Sequence, residues 1–485
     1  MNCVDYLFEK SKSLQKDLIL GIQENISYQS IYEKALDIAC YLNEKVGKGK
    51  NIILISQNSS FFITAYLGIL KSGNICVPLS TTIEQNNLDF ILNKTKCEIG
   101  FISEIVLKKL EIQIDFYSES NTFKALTFQR NLESFKNDFD GDQIAEIIYT
   151  SGSTATPKGV MITHDNIIAN TNSIIQYLNL NEVDIMMVIL PFSYCYGLSL
   201  LHTHIRAGGQ LVLNNNFIFL STTINSLNKY HCTGFAGVPS HFQILLRKTE
   251  IFKKTEFPYL RYVTQAGGKL QNTFITEFIE SFPSIQFFVM YGQTEATARL
   301  SYLPPDMLKA KLGSIGKGIS GVELKVIDSK GKPVLPGKTG EIVARGKNVM
   351  LGYFKDPKES AKTIRNGWLC TGDLATVDEE GFIYLTARKK EIIKVGGKRV
   401  SPKEIEGVID MIPGVIDCSI VAVEDEILAE AIKATIIVSD TENNINEESI
   451  RSFCAAKLSN HKIPTIIEIK KEISLNATGK KTFGN

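Results

Sequence analysis

The chain has 485 residues, too many for one ordinary hydrophobic core, so two or more domains are expected. Its 44% apolar and 22% charged residues match a folded, soluble protein, and a net charge of +1 gives no electrostatic reason to bind nucleic acid or an anionic membrane. Apolar runs such as FFITAYLGIL (61–70) are too short to span a bilayer, so no membrane insertion is expected.

Taken in chain order, residues 28–46 read as an amphipathic helix. The strand NIILIS (51–56), the helix FFITAYLGILKSG and the strand NICVPL (74–79) follow. This alternation predicts doubly wound α/β architecture. A second round begins at IIYTS and continues with a helix after 166, IMMVILP, the helix LSLLHTHIRAGG, QLVL, TGFAGVP, YVTQAGG and FFVMYGQTE. Short apolar runs that end at Gly, Pro or hydroxyl residues are what strand carboxyl ends look like at a ligand crevice. From about 313 the texture turns to glycine-punctuated β segments, in which DSKGKP predicts a hairpin turn. The last hundred or so residues read as strand, helix, strand, a small α+β domain.

Nine cysteines are scattered without a CxxC pair, which predicts reduced thiols and a cytoplasmic setting. No basic stretch followed by an apolar core opens the chain, so no export signal is expected. His202 and His204 form HTH with no acidic or cysteine partners nearby, and core or pocket-lining roles outweigh zinc ligation.

The stretch YTSGSTATPKGVMITH (149–164) carries the clearest chemistry. Ser151, Gly152, Ser153 and Thr154 make a loop whose backbone N–H groups and hydroxyls can surround an anion, and Lys158 adds a point charge. Thr163 or Asp165 would cap the helix that follows. Gly159 stands where a Walker loop needs Ser or Thr, so this is a phosphate loop of another kind.

Six stretches occur in order: this loop, YGQTEAT (291–297), GEIVARG (340–346), TGDL (371–374), ARKKEIIKVGGKRVSPKEIE (387–406) and NATGK (476–480). Together they resemble the core motifs of the adenylate-forming enzymes, the superfamily of acyl- and aryl-CoA synthetases, peptide-synthetase adenylation domains and luciferase. The resemblance implies a large N-terminal domain, 1–387, of two α/β subdomains plus a distorted β-barrel. It also implies a hinge at 388–391 centred on Lys390, and a mobile C-terminal domain at 392–485.

The implied chemistry is attack of a carboxylate on the α-phosphorus of ATP, giving acyl-AMP and pyrophosphate, then acyl transfer to a thiol. Lys480 would bridge carboxylate and α-phosphate. Thr150 and the loop residues would hold the pyrophosphate end with Lys158. Gly267 and Gly268 would let backbone approach the adenine on which Tyr291 stacks, with Gly292 and Gln293 beside it. Thr294 would bond a phosphate, and Glu295 would hold Mg²⁺. Asp373 would accept the ribose hydroxyls and Arg388 would reinforce that contact.

For the second half-reaction, Lys394 and the glycines 396 and 397 would border a pantetheine passage. A pocket of Tyr194, Cys195, Tyr196, Phe235, Val238, Pro239 and Ala266 would take a small or medium acid, apolar or aromatic. Tyr194 stands where many acyl-CoA synthetases carry histidine, and no Asp near Cys195 offers an ammonium partner, which disfavours α-amino acids. Ala155 replaces a usual loop glycine. The expected acceptor is the phosphopantetheine of an acyl or peptidyl carrier protein, with free coenzyme A as the alternative. A luciferase-like oxidase and a non-catalytic nucleotide-binding regulator are the rivals of other classes.

Overall fold

The computed structural model describes residues 1–21, 25–122, 139–150, 157–389, 391–395, 397–425, 429–439 and 445–471. Two large sheets carry the N-terminal part. One runs in the order 352–353, 158–163, 144–150, 75–79, 51–55, 99–102, 115–117, with only 158–163 running against the others. The other is nine-stranded, with a parallel centre built from Ile185–Val188, Gly234–Gly237, Tyr262–Gln265 and Gln286–Tyr291. Parallel strands need helical crossovers, and the helices predicted between them form: Tyr28–Lys45, Ser60–Lys71 and Cys195–Ala207.

The helix His164–Leu178 is started by Thr163 rather than Asp165. The Thr163 hydroxyl accepts from the Asn166 N–H at 3.2 Å, and the Asn166 side chain accepts from the Thr163 N–H at 2.9 Å. That reciprocal pair satisfies two donors that a helix start otherwise leaves unpaired.

A five-stranded antiparallel sheet between 322 and 388 stands where the distorted barrel was expected. The DSKGKP turn forms locally, with the Gly331 N–H donating to Asp328 O at 3.0 Å. It closes only a bridge from Ile327 to Pro333, and the long partner of Val322–Ile327 is Gly340–Gly346. The C-terminal part is a second five-stranded sheet with its own core of Ile393, Val400, Ile405, Ile420, Ile436 and Ile450. Its first predicted strand is a hairpin, Ile393–Val395 against Lys398–Val400. Gln243 Nε2 donates to the buried Asp417 Oδ1 at 3.0 Å, which ties this sheet to the helix Pro239–Arg247.

All nine cysteines are free thiols, eight of them buried. Among the described residues no helix is long and apolar enough to cross a membrane.

Candidate active site

The site gathers where the central parallel strands end and the antiparallel sheet folds over them. Strand Gln286–Tyr291 delivers Tyr291, whose hydroxyl donates to Asp373 Oδ2 at 2.7 Å. Arg388 Nε lies 3.1 Å from Asp373 Oδ1. Asp373 and Arg388 are fifteen positions apart in the chain, yet they are direct cross-strand partners. Burial pushes the Asp373 carboxyl up, while Arg388 and the Tyr291 hydroxyl pull it back down. Burial and the neighbouring Asp373 hold the Tyr291 phenol well above its ordinary range, so it remains a donor.

After Tyr291 the chain turns through Gly292 and Gln293 into the short 3₁₀ turn Thr294–Ala296. A Cβ on Gly292 would lie 1.9 Å from Ala298 O, so only glycine fits this turn. Thr294 is buried there. Glu295 Oε1 accepts from the Tyr353 hydroxyl at 2.8 Å, which leaves Oε2 without a partner among the described residues. On the neighbouring strand end Gly267 has φ +84°, a conformation that glycine adopts without strain, and the Gln265 side chain braces the turn by donating to Gly268 O at 2.8 Å.

The phosphate-loop flanks meet the same place. Thr150 and Lys158 face each other across the antiparallel pair 144–150 and 158–163. Lys158 Nζ pairs with Glu359 Oε1 at 2.5 Å and sits 5.3 Å from the Tyr353 ring centroid. Tyr353 thus touches Lys158 on its ring and Glu295 through its hydroxyl. Neither Tyr353 nor Glu359 was singled out from the sequence, because LGYFKDPKES carries no pattern that distinguishes these two from surface residues.

The pocket side is built by the first turn of Cys195–Ala207. Cys195 Sγ is 3.5 Å from Thr294 Oγ1. The Tyr196 hydroxyl lies 2.7 Å from Thr264 Oγ1 and 2.9 Å from its carbonyl oxygen. Tyr194 precedes that turn half-buried, and burial raises its phenol further. Val238 and Ala266 share the core of Tyr196, and Pro239 begins the next helix.

Phe235 is a correction. It packs at 5.9 Å on Phe242, in a separate cluster on the other face of the sheet, while Ala236 joins Tyr196 and Ala266. Successive strand residues alternate faces, and the run GFAG gave no sign of which face was which. The pocket surroundings are not wholly uncharged either: the buried Arg299 stacks 4.0 Å over the Tyr196 ring.

Ser151, Gly152, Ser153, Thr154, Lys390 and Lys480 lie outside the described residues. Lys394 is exposed on its hairpin, with its backbone N–H donating to Glu430, and it is not brought to Tyr291 or Asp373 in this arrangement. His202 and His204 are core residues: His202 Nε2 lies 2.8 Å from the Tyr66 hydroxyl, and His204 Nδ1 lies 2.8 Å from Leu200 O. Among the described residues no cluster of three His, Cys, Asp or Glu could hold a metal.

The flanks of the phosphate loop, a tyrosine–aspartate–arginine set and Glu295 at parallel strand ends define a nucleotide-handling α/β enzyme. The AMP-binding enzyme family matches residues 9–354, and the AMP-binding enzyme C-terminal domain matches residues 404–480. The chain belongs to the AMP-binding enzyme family. It is 29% identical to a long-chain-fatty-acid–CoA ligase of Escherichia coli, over 98% of this chain and 92% of that one. It is 31% identical to the oxalate–CoA ligase of Saccharomyces cerevisiae, over 86% and 77%. An anthranilate CoA ligase solved with anthranoyl-AMP shares the fold with a TM-score of 0.89 at 23% identity, covering 99% and 95% of the two chains. The protein is an AMP-forming acid–thiol ligase.

Proposed function

We propose that this ligase activates a small carboxylic acid as its acyl-AMP and passes the acyl group to the thiol of coenzyme A. The observation that carries the nucleotide half is the Tyr291–Asp373–Arg388 set, which offers a ring face, a carboxylate and a cation beside Thr294 and Glu295. Coenzyme A replaces the carrier protein favoured from the sequence. Its support is that the relatives matched over 86–98% of the chain are CoA ligases.

In this reading Tyr291 stacks on adenine, Gly267 and Gly268 admit backbone to the base edge, and Asp373 accepts both ribose hydroxyls. Thr150, Ser151, Gly152, Ser153, Thr154 and Lys158 hold the β- and γ-phosphates. The substrate carboxylate attacks the α-phosphorus, an O–P bond forms, and the bond to pyrophosphate breaks. Two anions must approach, so the site has to supply positive charge and fixed donors. Lys480 bridges carboxylate and α-phosphate, and Thr294 donates its hydroxyl.

Glu295 suits Mg²⁺: it is a hard oxygen donor held by Tyr353 through Oε1, with Oε2 without a partner among the described residues, and a single carboxylate is enough where phosphates and water complete the shell. The ion would neutralise charge on the departing pyrophosphate.

For thiol transfer the C-terminal part pivots about Lys390, withdraws Lys480 and brings in Lys394 with the glycines 396 and 397. The thiolate then displaces AMP from the acyl carbon. ATP–pyrophosphate exchange across a panel of acids, followed by thioester formation with coenzyme A or a loaded carrier protein, tests both halves. Exchange without thioester on either acceptor would reject the ligase's second step as drawn. A carrier protein used in preference to coenzyme A would restore the other acceptor.

A further inference from the structure

Arg299 lies four residues beyond Glu295 and is 2% exposed. Its Nε donates to Met290 Sδ at 3.3 Å, and one terminal nitrogen donates to Ala298 O at 3.2 Å. Its guanidinium carbon sits 4.0 Å over the Tyr196 ring. The Tyr177 hydroxyl reaches the same methionine sulfur at 2.9 Å. Sulfur is a weak acceptor, so these contacts satisfy geometry better than charge.

Other arginines have a carboxylate beside them: Arg206 with Glu9, Arg247 with Glu277, Arg261 with Asp184 and Arg388 with Asp373. Arg299 has none among the described residues, although it is the more deeply buried. An unpaired buried guanidinium is costly and needs a reason.

The reason lies in what surrounds it. Arg299 stacks on Tyr196, and the adjacent Cys195 touches Thr294, the residue proposed to meet the phosphate. The cation therefore borders the first turn of the helix that walls the acid pocket. Tyr196 is pinned by its hydroxyl to Thr264, so the ring under the guanidinium is fixed in place.

Resting on the ligase reading above, we infer that the substrate supplies the missing counter-anion. The acid is a short dicarboxylic acid, whose second carboxylate, remote from the one that is adenylated, pairs with Arg299. Tyr196 holds the guanidinium plane for it.

The test is ATP–pyrophosphate exchange on the full chain with matched pairs, such as glutarate against pentanoate and phthalate against benzoate. Wild type should favour the diacid of its preferred pair by at least about tenfold in kcat/KM, since losing one partner of a buried charge pair is worth that or more. Arg299→Gln should abolish this preference through KM, with exchange on the monoacid kept. Arg299→Lys, which keeps the charge without the stacked plane, should retain part of it. Melting temperature accompanies each variant. If Arg299→Gln does not fold, the wild-type pairs and Arg299→Lys decide.

Equal or better use of the monoacid by wild type overturns the inference and leaves the ligase standing. So does an Arg299→Gln protein that melts normally and keeps its preference for the diacid, or loses both acids equally. No exchange with any acid removes the ligase reading itself, which is a separate result.

Discussion

Replacing Asp373 with alanine perturbs two things that the structure separates. The first is stability. Tyr291 is 7% exposed and its hydroxyl donates to Asp373, so the substitution leaves a buried donor unpaired, at about 1–3 kcal/mol. Arg388 is exposed, and its half of the ion pair adds little, about 0–1 kcal/mol. Relief of the desolvation that raises the Asp373 carboxyl offsets part of this.

The second is ATP binding. Two ribose hydroxyls on one carboxylate are worth about 1.5–3 kcal/mol each. The Tyr291 and Arg388 bonds already occupy some of the acceptor's capacity, so the low end applies. The sum is about 3 kcal/mol, or roughly a hundredfold in affinity. Calorimetric titration with ATP, beside a thermal melt, measures both. Tyr291→Phe is the companion variant: it keeps the carboxylate, and should lose about 1 kcal/mol of stability and less than about tenfold in ATP affinity. An Asp373→Ala protein that melts early but binds ATP as wild type does would refute the reasoning. Asp373 would then be only the acceptor that seats Tyr291.

Lys480→Ala should lower acyl-AMP formation by about 10²–10³ while thioester formation from supplied acyl-AMP largely survives; equal loss in both steps, followed by single-turnover kinetics, would reject the pivoting arrangement. Glu359→Gln removes the carboxylate that pairs with Lys158 at 2.5 Å, and should tighten ATP by up to about fivefold while leaving AMP unchanged, as calorimetry with both nucleotides would show. Glu146→Gln should alter the pH dependence of stability. Burial pushes the Glu146 carboxyl from 4.5 to about 7, although the Tyr66 hydroxyl donating at 2.8 Å pulls it down. A raised folded-state value means that its stabilising contribution is complete below 4.5 and lost as pH rises through about 7, a change of about 3 kcal/mol. Urea midpoints between pH 4.5 and 8 should therefore fall more steeply for wild type than for Glu146→Gln, and parallel profiles would count against the assignment.

The sequence by itself determined the parts of this protein that depend on local order. Alternating strands and helices, a helix start at Thr163 or Asp165 and the ordered motifs at 149–164, 291–297 and 371–374 are short-range patterns, set by backbone sterics, periodicity and residue chemistry. Through the resemblance those motifs carry, they placed Tyr291, Thr294, Glu295, Asp373 and Arg388 as expected site residues, and the expected fold class is the one observed. Tertiary structure decided what crosses between segments. Asp373 meets Arg388 because an antiparallel register aligns them, and Glu359 and Tyr353 reach Lys158 because a two-residue strand pairs beside it. The face of Phe235 turned on which side of the sheet held the larger aromatic cluster. Arg299 gave no signal in its own stretch, TEATARL, because its charge becomes conspicuous only once the chain buries it beside Tyr196 without a carboxylate among the described residues. Burial and pairing are properties of segments brought together from far apart, and a one-dimensional pattern carries no distance between them.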